Sequence, residues 1–184
     1  MAKIVVVFHS GFGHTQRMAQ VIADGAQAQL LAIDAEGKLP ALGWEALASA
    51  DAIIFGSPTY MGNVSWQFKK FAETSSKQWF AQAWKDKLAA GFTNSAGLNG
   101  DKAVSLHTLF TLAMQHSMLW VSQGLMPSNL KATTRDDVNN LVSYSGAMAQ
   151  SPSDAGAADM RSGDIETARL FGQRVADVAR RICG

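Results

Sequence analysis

Three short segments of small and hydroxyl-bearing residues carry the chemistry this sequence offers. The first is Ser10-Gly11-Phe12-Gly13-His14-Thr15, the second Ser57-Pro58-Thr59-Tyr60-Met61-Gly62-Asn63, and the third Asn94-Ser95-Ala96-Gly97-Leu98-Asn99-Gly100. The first contains no lysine or arginine and runs directly into a helix-patterned stretch. Main-chain N–H groups and the macrodipole at a helix start favour an anion. A phosphate held there is gripped by neutral donors in a backbone nest, without a counter-charge. In the second segment Pro58 fixes the turn, Gly62 lets a ligand approach the backbone, and Tyr60 and Met61 offer flat or polarizable surface. The third supplies amide, hydroxyl and main-chain donors.

The elements between these segments alternate. Ile4 to Phe8 is a continuous apolar, mostly β-branched run, as in a strand buried on both faces. A helix is predicted from about Thr15 to Ala26, a strand over Gln29 to Ile33, and a helix over Trp44 to Ala50. Ala52 to Gly56 reads as the next buried strand, followed by a helix from Ser65 to Thr74. Leu88 to Thr93 is a fourth strand, Ala103 to Gln115 a helix, and Met118 to Ser122 a fifth strand. Residues Gly124 to Gly163 show no clear periodicity, and so long an excursion is either functional or an interface arm. A last helix covers Asp164 to Ile182. Five strands alternating with helices predict an α/β fold with a doubly wound parallel sheet, built as one domain over residues 1–184. Ligands of such sheets bind at the carboxyl ends of the strands, where the strand order reverses. All three small-residue segments follow strands, so they meet at one edge. A planar heteroaromatic ring with many nitrogen and oxygen edges suits the gap between them. FMN has such a ring, and its phosphate tail would reach the first segment.

Other phosphate-binding readings fare worse. A P-loop needs a Gly-Lys-Ser/Thr ending, which is missing. Gly11-Phe12-Gly13 and Asp34 imitate a dinucleotide fingerprint, but Gln16 stands where close helix–strand packing wants Gly or Ala. A response-regulator receiver needs acidic residues after the first and third strands, and here those positions hold His9-Ser10 and Ser57. No Gly-x-Ser-x-Gly elbow of a hydrolase is present.

Composition narrows the class. The 184 residues carry a formal net charge of +1, with 47% apolar and 17% charged residues. That charged share is below the roughly 25% usual for soluble domains, which suggests that some surface is covered by a cofactor or another subunit. The near-neutral balance argues against nucleic-acid or anionic-membrane binding, both of which need a cationic excess. It also gives no acidic face for docking a basic redox partner. Cys183 is the one cysteine, so neither a disulfide nor a metal site is expected. With no signal-peptide pattern and no long apolar run, a cytoplasmic protein is expected.

The sequence resembles the WrbA-type NAD(P)H:quinone oxidoreductases of the flavodoxin-like FMN proteins. The likeness rests on Gly56 to Asn63 followed by Gln67, Phe68 and Phe71, on Ser10 to Thr15, on Phe92 to Gly100, on Gln115-His116-Ser117-Met118, and on Tyr144-Ser145-Gly146-Ala147. It covers nearly the whole chain and keeps the order of these pieces. The resemblance implies a flavodoxin-like five-stranded sheet of order 2-1-3-4-5. It implies FMN held at its phosphate by Ser10, Gly11, Phe12, Gly13, His14 and Thr15. Pro58, Thr59, Tyr60, Met61, Gly62 and Asn63 would lie along the isoalloxazine, with Asn94, Ser95, Gly97, Asn99 and Gly100 forming the remaining wall. It further implies NADH or NADPH as electron donor, quinones as acceptors, and a homodimer or homotetramer whose neighbouring subunits complete the site. Trp79 matches a tryptophan that the family places over the substrate pocket, and His116 is the second member of a pair that is often His-His.

The sequence departs from the family at Phe12, where Tyr is common, and in the third segment, where a Ser-Thr-Gly-Gly run is usual. Several of these residues also have plainer roles open to them. Ser10 and Thr15 suit helix capping. Trp79, beside Phe80, suits an interface core as well as a substrate wall. His116 suits a structural histidine closing a helix. A flavodoxin-type single-electron carrier and a non-catalytic FMN-binding stress protein are the alternatives to a quinone reductase.

Overall fold

The computed structural model describes residues 2–183. In chain order its elements are β1 (Ile4–His9), α1 (His14–Ala26), β2 (Gln29–Ile33), α2 (Gly43–Ser49), β3 (Ala52–Tyr60), β4 (Asn63–Val64), α3 (Trp66–Thr74), α4 (Ser76–Phe80), β5 (Leu88–Ser95), α5 (Lys102–Gln115), β6 (Leu119–Trp120), β7 (Ala147–Gln150) and α6 (Ser162–Cys183). The main path of the sheet is β2-β1-β3-β5-β6, all parallel. The order reverses between β1 and β3, which opens a crevice at the carboxyl ends of those strands.

Alternate residues of the buried strands feed two separate cores. Ile4, Val6, Phe8 and Ile54 face α1 and α6, whereas Val5, Val7, Ile53 and Phe55 face the side of α2, α3 and α5. Burial on both faces explains the uninterrupted apolar runs. Beside the first core, α1 and α6 touch backbone to backbone. A Cβ on Gly172 would lie 2.1 Å from the Ile22 carbonyl oxygen, and one on Gly25 would lie 2.2 Å from that of Arg169. The second core holds an aromatic cluster, in which Trp84 packs against Phe55, Phe71 and Trp44.

Three expectations need correction. Only Leu119 and Trp120 of the stretch 118–122 form ladder pairs, with Leu88 and Ala89 at the start of β5. The end of β5 pairs instead with β7, through Phe92↔Ala147 to Ser95↔Gln150. The excursion from Gly124 therefore interrupts the fifth strand and then supplies its second half. Its composition hid β7, because alanine, methionine and glutamine carry none of the β-branched or aromatic signal that marks a strand. Lastly, Ser57 to Tyr60 is not loop but a continuation of β3. It ends in a two-residue turn at Met61 (φ 47°) and Gly62 (φ 77°) that leads into the antiparallel β4. Positive φ at both central residues is the turn that matches strand twist. Methionine is an uncommon occupant of such a position, so the hairpin was not legible. No described helix is long and apolar enough to cross a membrane.

Candidate functional site

The first loop turns β1 into α1. Gly13 adopts φ 90° and precedes the first helical residue. Ser10 Oγ reaches across the turn and accepts from the N–H groups of Gly13 (3.1 Å) and Gln16 (3.2 Å). Gly13 holds the N-cap position itself, and Ser10, three residues before it, satisfies these two donors from outside the helix. Among the described residues the N–H groups of His14 and Thr15, in the first turn, donate to no protein atom. Two unpaired donors at a helix start, with no lysine or arginine in the loop, form the neutral nest that suits a phosphate.

The other loops are fastened to this one by side chains. Thr15 is 1% exposed, and its Oγ1 donates to Asn94 Oδ1 at 2.7 Å. Asn94 Nδ2 donates in turn to Ser151 Oγ at 2.9 Å. One relay of hydrogen bonds therefore joins α1, the end of β5 and the segment after β7. His14 Nε2 lies 2.9 Å from the Ala155 carbonyl, which can only accept, so this nitrogen carries the proton. At the end of β3, Thr59 Oγ1 donates to Ser105 Oγ (2.8 Å) and sits 2.8 Å from Thr93 Oγ1. Tyr60 packs edge-on against Phe12, with ring centroids 6.3 Å apart, and its hydroxyl rests against Gly11. Burial pushes the Tyr60 phenol up, opposed by the Gly11 N–H.

The third loop folds around a buried ammonium. Lys102, at the start of α5, is 1% exposed. Its Nζ donates to Ser95 Oγ (2.9 Å) and to the carbonyls of Gly97 (2.7 Å) and Leu98 (2.8 Å). Gly100, at φ 53°, lies so close to Ser95 that a Cβ there would meet its Oγ at 2.1 Å. Only glycine fits that position.

A cavity of about 500 Å³ opens between the loops, within the usual range for a cofactor site. Of the residues expected in the site, Phe12, His14, Thr59, Tyr60, Asn94 and Ser95 line it. Ser10, Gly11, Gly13 and Thr15 build the adjoining turn, and Pro58 lies within β3. Met61 and Gly62 form the hairpin tip, with Met61 fully exposed. Asn63 Oδ1 is taken up by Thr108 Oγ1 and the Val64 N–H. Gly97 and Gly100 shape the third loop around Ser95. Asn99 faces a different depression, shared with Leu98 and Arg135.

Trp79 and His116 are not brought to this cavity within one chain. They line a smaller one of about 230 Å³ with Phe80 and Gln115. His116 precedes β6 at the amino end of the sheet, whereas Asn94 is at the carboxyl end of β5. At about 3.3 Å per residue the length of β5 separates them by roughly 20 Å. His116 is buried against Trp84, bonds Ser75 Oγ through Nε2 (2.8 Å), and is held down to about 4 by burial.

The sequence reading missed the strip 151–156. Ser151, Pro152, Ser153, Ala155 and Gly156 all line the cavity. The signal was present in their composition, since Ser-Pro-Ser followed by small residues repeats the character of the other loops. Without β7 in view there was no strand for it to follow.

Comparison with known proteins agrees with this geometry. Residues 41–131 match the model of the NADPH-dependent FMN reductase family. The chain is 54% identical over 182 residues to "Flavodoxin FldP" of Pseudomonas aeruginosa, covering 99% of each. It is 30% identical to an "NAD(P)H dehydrogenase (quinone)" of Archaeoglobus fulgidus, over the full length of both. Among solved structures, a flavodoxin, WrbA-like protein from Agrobacterium tumefaciens superposes with a TM-score of 0.83 at 54% identity, covering 98% of this chain and 99% of that one. With such relatives along its whole length, the chain belongs to the flavodoxin-like family of FMN-binding oxidoreductases.

Proposed function

We propose that this protein passes two electrons from NADH or NADPH to quinones, with both small molecules using the cavity in turn. The observation that carries this reading is the cavity lining. Its aromatic part is confined to Phe12 and Tyr60, which pack on each other, and all the rest except His14 comes from small residues of 94–96 and 151–156 and from Thr59. A hydride donor needs a flat face of the flavin left free, and walls of small residues leave that room. FMN supplies the hydride-accepting ring; the chain binds, orients and shields it. The N–H groups of His14 and Thr15, with Ser10, would hold the phosphate. Thr59, Tyr60, Asn94, Ser95 and Ala96 would border the ring. Quinones and nicotinamides are the proposed small-molecule partners, and the cytoplasm the proposed setting.

A homodimer or homotetramer belongs to the same proposal. Phe12, Trp79 and Phe80 are 80%, 45% and 81% exposed in the single chain, and a neighbouring subunit would cover such surface. It could also bring Trp79 to a second chain's cavity.

A single-electron carrier is the second reading. It is favoured by the greater identity to the relative named a flavodoxin. Anaerobic stopped-flow mixing of the FMN-loaded protein with each nicotinamide, followed by benzoquinone, separates the two. The enzyme reading expects the visible flavin band to bleach and then return on quinone addition. No bleaching with either donor, together with two well-separated one-electron waves in a dithionite titration, establishes the carrier.

A further inference from the structure

A buried charge sits directly behind the third loop. Lys102 is almost wholly buried, and it opens α5, where the helix dipole opposes a cation. Structures tolerate such a placement only when the ammonium is fully hydrogen-bonded. Here all three of its donors are used, and all on the third loop: Ser95 Oγ, Gly97 O and Leu98 O. Ser95 lines the cavity, so the charge is one hydrogen bond from its wall. A loop of this length can be closed with neutral groups at less cost. The buried cation therefore calls for a reason beyond closure.

We propose that Lys102 is a positioning residue that fixes the third loop through Ser95 and places a positive charge behind it, so that the cavity binds reduced FMN more tightly than oxidised FMN. The inference rests on the reading that this cavity holds the flavin ring. Oxidised flavin is neutral in its ring. Two electrons and one proton, delivered together as a hydride or separately from dithionite and water, leave the ring with one negative charge. No lysine or arginine lines the cavity; His14, which does, donates from Nε2 to the Ala155 carbonyl. The charged groups acting on Lys102 are Asp164 of α6 and Arg135 of the excursion, which are paired with each other at 2.7 Å. Their opposite charges leave the ammonium as the net charge of the cluster. Burial lowers Lys102 to about 8, with Asp164 pulling it up and Arg135 pushing it further down. The cation is therefore present at neutral pH and is lost in mildly alkaline solution unless a reduced ring holds it.

The test is the two-electron potential of bound FMN, measured by dithionite titration between about pH 6 and about pH 10, with FMN affinity measured alongside. In the wild-type protein the potential falls by about 30 mV per pH unit below about pH 8. Above it the fall steepens towards about 60 mV, because Lys102 then takes up a second proton on reduction. Lys102→Met lowers the potential at neutral pH by at least about 30 mV, a tenfold loss in the reduced-to-oxidised affinity ratio. It also removes the break in the pH profile. Lys102→Arg keeps the neutral-pH potential and loses the break, since a guanidinium does not titrate there. A Lys102→Met protein whose potential matches the wild type overturns the proposal, even if both redox forms bind more weakly, because loop damage alone lowers both affinities together. Should Lys102→Met fail to fold, the wild-type profile decides: a break near pH 8 supports the proposal and a straight line overturns it. A wild-type apoprotein that takes up no FMN overturns the underlying site assignment, and is told apart by appearing before any substitution is made.

Discussion

Replacing Asn94 by alanine cuts the relay that holds three site loops together, and the structure sets the size of the effect. The side chain accepts from Thr15 at 2.7 Å and donates to Ser151 at 2.9 Å. Each bond contributes about 1 kcal/mol net, and a hydroxyl stranded away from water costs a further 1–3 kcal/mol, roughly. Thr15, at 1% exposure, is stranded; Ser151 borders the cavity and regains water there. The expected loss is about 3 kcal/mol, which for a domain of this size lowers the melting temperature by roughly 6–12 °C. The assay is urea and thermal denaturation of the apoprotein, with Thr15→Val and the double variant completing a mutant cycle. Coupling of at least about 1 kcal/mol between the two sites is expected, because each substitution destroys the same bond. A loss below about 0.5 kcal/mol, or additive single effects, would refute the view that this relay organises the site.

Other consequences follow from particular contacts. His116 is held neutral in the folded protein, down to about 4, whereas in the unfolded chain it takes up a proton near pH 6.5. Its folded pKa is depressed, so the stability it lends is complete above about pH 6.5 and is lost as pH falls from there towards about 4. The loss amounts to up to about 3 kcal/mol, and a His116→Gln protein should show a flatter urea-stability profile over that interval. Gly172→Ala puts a methyl group 2.1 Å from the Ile22 carbonyl and must push α6 off α1. A cost of at least about 2 kcal/mol is expected in equilibrium unfolding, and a near-neutral result would mean that the two helices are not so closely seated.

Much of the fold was legible because its strands are buried on both faces. Ile4 to Phe8 and Ala52 to Gly56 could hardly be anything else, and their spacing with intervening helices fixes a parallel sheet. What escaped was local and specific. The Met61-Gly62 hairpin uses a residue rarely seen at positive φ, and β7 is written in alanine, methionine and glutamine. The cavity lining was legible in part, as three segments, since small and hydroxyl residues at strand ends have a shared reason to be there. Its fourth wall, 151–156, was not, because it depends on a strand contributed from the far side of a long insertion. Nor was Lys102, which by sequence is an ordinary helix-opening lysine. Only its burial and its three acceptors on one loop set it apart. Trp79 and His116, placed at the substrate by family likeness, lie within the single chain at the other end of the sheet.

The account stands most directly on the phosphate nest at the start of α1. Titrating the apoprotein with FMN and with riboflavin, followed by flavin fluorescence, compares two ligands that share a ring and differ only in the phosphate. Saturation by FMN at one per chain, with riboflavin bound at least about a hundredfold more weakly, is the predicted result, since hydrogen bonds to a charged group contribute about 1.5–3 kcal/mol each. Equal affinity for the two, or no binding of either, would contradict it.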